Sequence, residues 1–290
     1  MSDDGRFAVV IIAMLGNVFS PYYAAARARG RGVADPLDFV TMNVALYGPS
    51  SRAWALTERR GAVRDRDALA IGPSSIRHTS DGILVEVDEV TAPLASRIAG
   101  TVRLEPEVVC GLPRELDAKK AHRWWPISPR ARVTVDFPEP GVRWSGHGYF
   151  DANAGDEPLE DAFSSWSWSR LPTSQGAIVS YDVRRRDGST KTLDVSFDAR
   201  RGAQPLSDLT DHDLGQTRWW RLDRRVRAPR DGAPRLVRTL EDTPFYSRSA
   251  VEMSLRGTRG VAVHESLSLE RFGSRWVRTL LPMRIRRVTA

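Results

Sequence analysis

Apolar and polar residues alternate with a period of two through most of this chain, the pattern of strands with one buried face. Residues 83–90 (ILVEVDEV), 98–104 (IAGTVRL) and 132–137 (RVTVDF) carry it in the first half. In the second half, 177–185 and 190–197 flank Asp187-Gly188, a dipeptide suited to a tight hairpin turn. Residues 251–255 and 261–269 flank GTRG at 257–260, which predicts another hairpin. The longest apolar run, 7–15 (FAVVIIAML), lies between Gly5 and Gly16, is strand-length and rich in β-branched residues, and reads as a buried strand. It falls well short of the roughly 18 residues a membrane-spanning helix needs. Ahead of it acids outnumber bases, unlike the basic start of a signal peptide. Helical spacing is confined to 22–29 and a single turn at 159–163. The predicted fold is all-β, many antiparallel strands forming a sandwich or barrel.

The rhythm breaks at 151–163 (DANAGDEPLEDAF), an acidic stretch containing Gly155 and Pro158. It separates two β-rich halves, each large enough for its own core. The expected organisation is two β domains in tandem, 1–158 and 159–290.

Composition sharpens this only in places. Of 290 residues, 43 are basic and 36 acidic, a formal charge of +7, and only Lys119, Lys120 and Lys191 among the basic residues are not Arg. The Arg residues are interleaved with acids and accompany no nucleic-acid recognition motif, so a nucleic-acid partner is not expected. The lone Cys110 excludes an intrachain disulfide, fits a reducing, cytoplasmic setting, and reads as a buried small hydrophobe. The five His residues show no metal-ligand spacing, and no phosphate loop or nucleophile elbow is present. His212 and His264 read as structural.

The candidate chemistry lies where aromatics meet carboxylates. His122-Arg123-Trp124-Trp125-Pro126 opens one strand-like segment, and Trp144, Tyr149 and Asp151 lie on another, followed by Asp156 and Glu157. On a strand, Tyr149 and Asp151 share a face and Phe150 points away. A barrel interior lined by Trp124, Tyr149 and Asp151 would be apolar around a single carboxyl. Desolvation there, helped by neighbouring acids, would keep Asp151 protonated. A neutral Asp among aromatic rings can protonate an alkene while the ring faces stabilise the cation. The same spacing also suits plain core aromatics beside a solvated acidic linker.

Nine ordered blocks across the chain carry a family resemblance: SDDG at 2–5, VFSPYY at 18–23, NVALYG at 43–48, LAIGPSS at 69–75, DEVTAP at 88–93, HRWWP at 122–126, GDEPLEDAF at 155–163, RTLEDTPFY at 238–246 and HESLSL at 264–269. Together they resemble the carotenoid 1,2-hydratases. The resemblance implies two lipocalin-like antiparallel domains. It also implies a cofactor-independent hydro-lyase that adds water across the terminal C1–C2 double bond of acyclic carotenoids such as neurosporene or lycopene. The family's functional positions match His122, Trp124, Tyr149 and Asp151, with Trp125, Trp144 and Tyr246 expected along the substrate. Two departures stand out. The chain starts at the SDDG block, where relatives carry further residues, and Ala154 stands where an aromatic is usual.

In the mechanism this suggests, Asp151 protonates C2, Trp124 and Tyr149 stabilise a tertiary cation at C1, and His122 takes a proton from the attacking water. Two rivals share the aromatic cage: a non-catalytic carotenoid or polyprenoid binder, and a polyene cyclase on the same fold. A substrate that dissolves only in bilayers gives the excess Arg a use at a membrane surface, so peripheral membrane contact is expected.

Overall fold

A computed structural model describes residues 1–30, 33–49 and 52–288. The strands begin β1 (Ala8–Met14), β2 (Val40–Tyr47), β3 (Ala53–Arg59), β4 (Val63–Arg64), β5 (Ala68–Ile71), β6 (Ser74–Thr79) and β7 (Gly82–Val90). There follow β8 (Arg97–Val108), β9 (Arg114–Glu115), β10 (His122–Glu139), β11 (Val142–Gly155), β12 (Phe163–Thr173), β13 (Gly176–Arg185) and β14 (Thr190–Asp198). The series ends with β15 (Gly202–Pro205), β16 (Leu209–Asp213), β17 (Arg225–Pro229), β18 (Arg235–Asp242), β19 (Tyr246–Leu255), β20 (Thr258–Ser268) and β21 (Arg286–Arg287). The α-helices are short: α1 (Pro21–Arg29), α2 (Leu159–Ala162), α3 (Leu269–Phe272) and α4 (Arg275–Leu280). The all-β, antiparallel class expected from the alternation is what the chain adopts, and β21 beside β3 is a parallel pair.

The chain forms two compact units, and each is interrupted in sequence. The first takes 1–106, 132–148 and 278–290, and the second takes 107–131 and 149–277. A single boundary at 158/159 does not describe this arrangement, because the long strands β8, β10 and β11 are each shared between the units. Residues 151–155, expected to leave the strand rhythm, continue β11.

In the first unit, Met42, Val44 and Leu46 on alternate positions of β2 pack with Val85 and Val87 of β7. Trp144 packs against this same core. The predicted apolar run is β1, paired along its length with β2. Helix α1 starts where predicted because Ser20 caps it, accepting from the Tyr23 N–H at 3.0 Å, with Pro21 in the first turn.

In the second unit a seven-stranded sheet runs β15-β14-β13-β12-β20-β19-β18, accompanied by the β16–β17 pair. The Asp187-Gly188 turn joins β13 to β14 as predicted, with Gly188 at φ +85°. The second predicted hairpin forms two residues earlier than its sequence suggests. Leu255 pairs with Thr258, leaving Arg256 and Gly257 as a two-residue turn with φ of 47° and 77°. A turn of that kind needs positive φ at both positions, and Gly257 supplies one without strain. Cys110 is only half-buried, on a loop, rather than in the core.

Candidate active site

Alternation along β10 buries His122 and Trp124 and turns Arg123 and Trp125 outward. On the neighbouring β11, Tyr149 and Asp151 share a face, as their spacing requires. The indole Nε1–H of Trp124 lies 3.0 Å from Asp151 Oδ2 and 3.1 Å from Tyr149 Oη. The Tyr149 hydroxyl donates to the same Asp151 oxygen at 3.1 Å. One carboxylate oxygen thus faces two donors, and the three side chains close a triangle.

The seven-stranded sheet supplies the opposing wall. Residues directly opposite in antiparallel strands share a face. Arg248, Glu265, Trp168 and Tyr181 form one such row across β19, β20, β12 and β13. Tyr246, Leu267 and Trp166 form the next. From these rows Trp168 packs on Tyr149 at 5.0 Å between ring centres, and Tyr181 packs on Trp124 at 5.3 Å. Trp166 meets Tyr181 at 5.8 Å and Tyr246 at 6.4 Å. Arg170 sits 5.7 Å from the Tyr149 ring and donates from Nε to Pro129 O at 2.9 Å. The indole N–H of Trp168 is buried with no hydrogen-bond partner among the described residues.

Burial in this aromatic setting pushes the Asp151 carboxyl up to about 6. Hydrogen bonds from Trp124, Tyr149 and Asn153 pull the other way, and the Glu265 charge adds to the rise. Burial, together with the Asp151 charge, also raises the Tyr149 hydroxyl well above its ordinary value, so it acts as a neutral donor. Burial lowers Arg170 to about 10, which leaves it charged near neutrality. The acids expected to assist Asp151 are engaged elsewhere. Asp156 lies 3.4 Å from Arg123, and Glu157 Oε1 lies 3.8 Å from His122 Nε2. The carboxylate that acts on Asp151 is Glu265, itself bound by Arg248 Nε at 2.7 Å.

His122 stands one alternation before Trp124 on the same face. Its backbone N–H donates to Asp117 Oδ2 at 2.7 Å, and its ring leans on Phe163 at 4.8 Å. Burial lowers its basicity, against the pull of Asp117, Glu157 and Asp156, so the ring is neutral at pH 7. Its Nε2 has no hydrogen-bond partner among the described residues. A Cβ at Gly155 would stand 2.7 Å from His122 Nδ1, so glycine leaves the ring its space.

The expected site residues therefore separate. Trp124, Tyr149 and Asp151 are in direct contact, Tyr246 joins their aromatic wall through Trp166, and His122 lies along the same strand face. Trp125 does not join them: it is 38% exposed and donates to Cys110 O at 2.8 Å. Trp144 packs in the core of the first unit. Trp166, Trp168, Arg170, Tyr181, Arg248 and Glu265 were not singled out from the sequence. The first three alternate along β12 as WSWSR at 166–170, a period-two signal that could have found them. His264, read as structural, is buried with Nε2 2.8 Å from Arg225 O.

Comparison with known proteins gives this geometry a family. A family model for the carotenoid hydratase CrtC matches residues 11–290. The acyclic carotenoid 1,2-hydratase of Thiocapsa roseopersicina is 46% identical over 290 residues, which cover 99% of this chain and 71% of that protein. Its counterpart in Cereibacter sphaeroides is 38% identical over 280 residues, 96% of this chain and 98% of that protein. A crystal structure described as an AttH candidate from Nitrosomonas europaea shares the fold, with a TM-score of 0.61 and 14% identity over 92% of this chain and 88% of that one. Sequence match across nearly the whole chain thus joins a buried carboxyl ringed by aromatics, and the chain belongs to the carotenoid hydratase CrtC family.

Proposed function

We propose that the chain hydrates the terminal C1–C2 double bond of an acyclic carotenoid, with lycopene and neurosporene as candidate substrates, and does so without a cofactor. The observation that carries this reading is the Asp151 carboxyl, raised to about 6 by burial and aligned by Trp124 and Tyr149. Asp151 gives its proton to C2, the π electrons form the new C2–H bond, and C1 becomes a tertiary cation. The faces of Trp124 and Tyr149, backed by Trp168 and Tyr181, stabilise that charge. A water oxygen then bonds to C1, and its surplus proton passes to neutral His122. His122 then releases that proton to solvent and Asp151 takes one back, which restores both groups, and no electrons are exchanged. Because the polyene resides in bilayers, the reading includes peripheral contact with a membrane.

The test is incubation of purified protein with lycopene or neurosporene in detergent, followed by chromatography and mass measurement. The expected product has gained one water at a hydrated end, and Asp151→Asn should lower its formation on the order of a thousandfold. Absence of product from the wild type would overturn the activity, and near-normal turnover by Asp151→Asn would overturn the acid assignment.

A further inference from the structure

The β16–β17 pair of the second unit is joined by a loop whose tip is Arg218-Trp219-Trp220-Arg221. Its backbone is pinned. Buried Thr217 and Leu222 close the tip, with Thr217 N–H donating to Leu222 O at 2.9 Å and Leu222 N–H to Thr217 Oγ1 at 3.1 Å. Beneath it, buried Arg224 donates to Gly215 O at 3.0 Å and Gln216 O at 2.9 Å. Arg271 of α3 donates to the carbonyls of Trp220 and Arg221, and Asp242 accepts from the Trp219 N–H at 2.9 Å.

On this rigid base the indoles are left outside. Trp219 is 74% exposed, and Trp220 stacks on Trp276 of α4 at 5.7 Å, both open to solvent. Arg218 lies over the Trp219 ring at 5.1 Å. Arg218, Arg221 and Arg275 are exposed, and none forms an ion pair with a described acidic residue. Large side chains held out in this way mark a surface meant to be covered. Indole rings favour the headgroup level of a bilayer, and unneutralised guanidinium groups favour anionic lipid. Inward from this surface the aromatics continue. Phe272 of α3 packs on Phe245 at 5.1 Å, Tyr246 follows in the chain, and its ring leads through Trp166 and Tyr181 to Trp124.

We propose that Trp219, Trp220 and Trp276, with Arg218, Arg221 and Arg275, seat the chain on an anionic bilayer, at the end of the sheet where the aromatic wall begins. The inference rests on the hydratase reading only for its purpose, delivery of a membrane-dissolved polyene. The surface itself is tested without substrate.

Flotation of the purified chain with phosphatidylcholine vesicles, with and without phosphatidylglycerol, reads the docking directly. The wild type should partition onto the anionic vesicles. Replacing Arg218, Arg221 and Arg275 together by Gln should weaken that partition about a hundredfold, whereas Arg218→Lys retains it. Trp219→Ala with Trp276→Ala should weaken binding to both vesicle types and slow hydration of vesicle-borne lycopene. Hydration of detergent-dissolved lycopene should stay at the wild-type rate, which also shows that the site is folded. Wild-type flotation without hydrated product in detergent would overturn the hydratase reading and leave the docking surface standing. Variants that float like the wild type, a wild type that stays in the aqueous phase, or a dimer that Trp219→Ala splits into monomers would each overturn the docking proposal.

Discussion

The indole N–H of Trp124 and the carboxylate oxygen of Asp151 stand 3.0 Å apart in a wall of aromatic rings, and the indole opposes what that burial does to the carboxyl. Burial favours the neutral acid, while the indole hydrogen bond favours the carboxylate. The proton is therefore held, but loosely enough to be given away near neutral pH. Trp124→Phe keeps an aromatic face and removes the donor. The Asp151 pKa should rise, moving the high-pH limb of activity upward, while the plateau rate falls about tenfold through lost alignment. A pH–rate profile of the variant checks both, and an unmoved limb would separate Trp124 from the reacting carboxyl.

The same carboxyl should leave a mark on stability. Its folded pKa, about 6, lies above the ordinary value of 3.8, so the folded state holds this proton more tightly than the unfolded chain. The contribution is fully present below about pH 4 and is lost as pH rises through 6, by no more than about 3 kcal/mol. Asp151→Asn keeps an acceptor for Trp124 and Tyr149 without the buried charge. Urea unfolding should show this variant gaining stability over the wild type between pH 4 and pH 7, even as its turnover is expected to fall about a thousandfold. A constant difference across that range would mean that Asp151 is not desolvated.

Glu265 is paired with Arg248 at 2.7 Å and stands in register beside Trp168, and its charge raises the proton affinity of Asp151. Glu265→Gln removes that charge while keeping the shape. The high-pH limb of turnover should move down, with KM little changed, and Glu265→Asp should restore the wild-type profile. A change in KM alone would assign Glu265 to packing.

Parity along the strands decides how much of this site could be read from the sequence. Tyr149 and Asp151 are two residues apart and share a face, so their partnership was legible. Trp125 is one residue from Trp124 and Trp144 is five from Tyr149, and odd spacings in a continuous strand point away from the site. That parity was available, and the density of aromatics obscured it. Glu265 and Arg248 are different in kind. Arg248 and Glu265 face each other across the β19–β20 hairpin, but they reach the site only because β20 pairs with β12, and pairing between strands so far apart in the chain leaves no local signal. The all-β class was legible because alternation repeats in nearly every segment. The interleaved units were not, because β8, β10 and β11 pass from one unit to the other without a break in their pattern.

Gly155 offers a test of His122 that leaves the histidine in place. An added Cβ would approach His122 Nδ1 to 2.7 Å and Cε1 to 2.9 Å, too close for the ring to stay where it is. On another side the ring packs against Phe163, at 4.8 Å between ring centres. Gly155→Ala should therefore turn the imidazole away from its position beside Trp124, with a stability cost of about 1–3 kcal/mol for the crowding. If neutral His122 takes the proton from the attacking water, turnover should fall about a hundredfold with substrate affinity nearly intact. His122→Ala should show a loss of the same size, and combining the two changes should add little further. Independent, multiplying losses would instead place Gly155 and His122 in separate roles, and unchanged turnover in Gly155→Ala would remove His122 from the reaction.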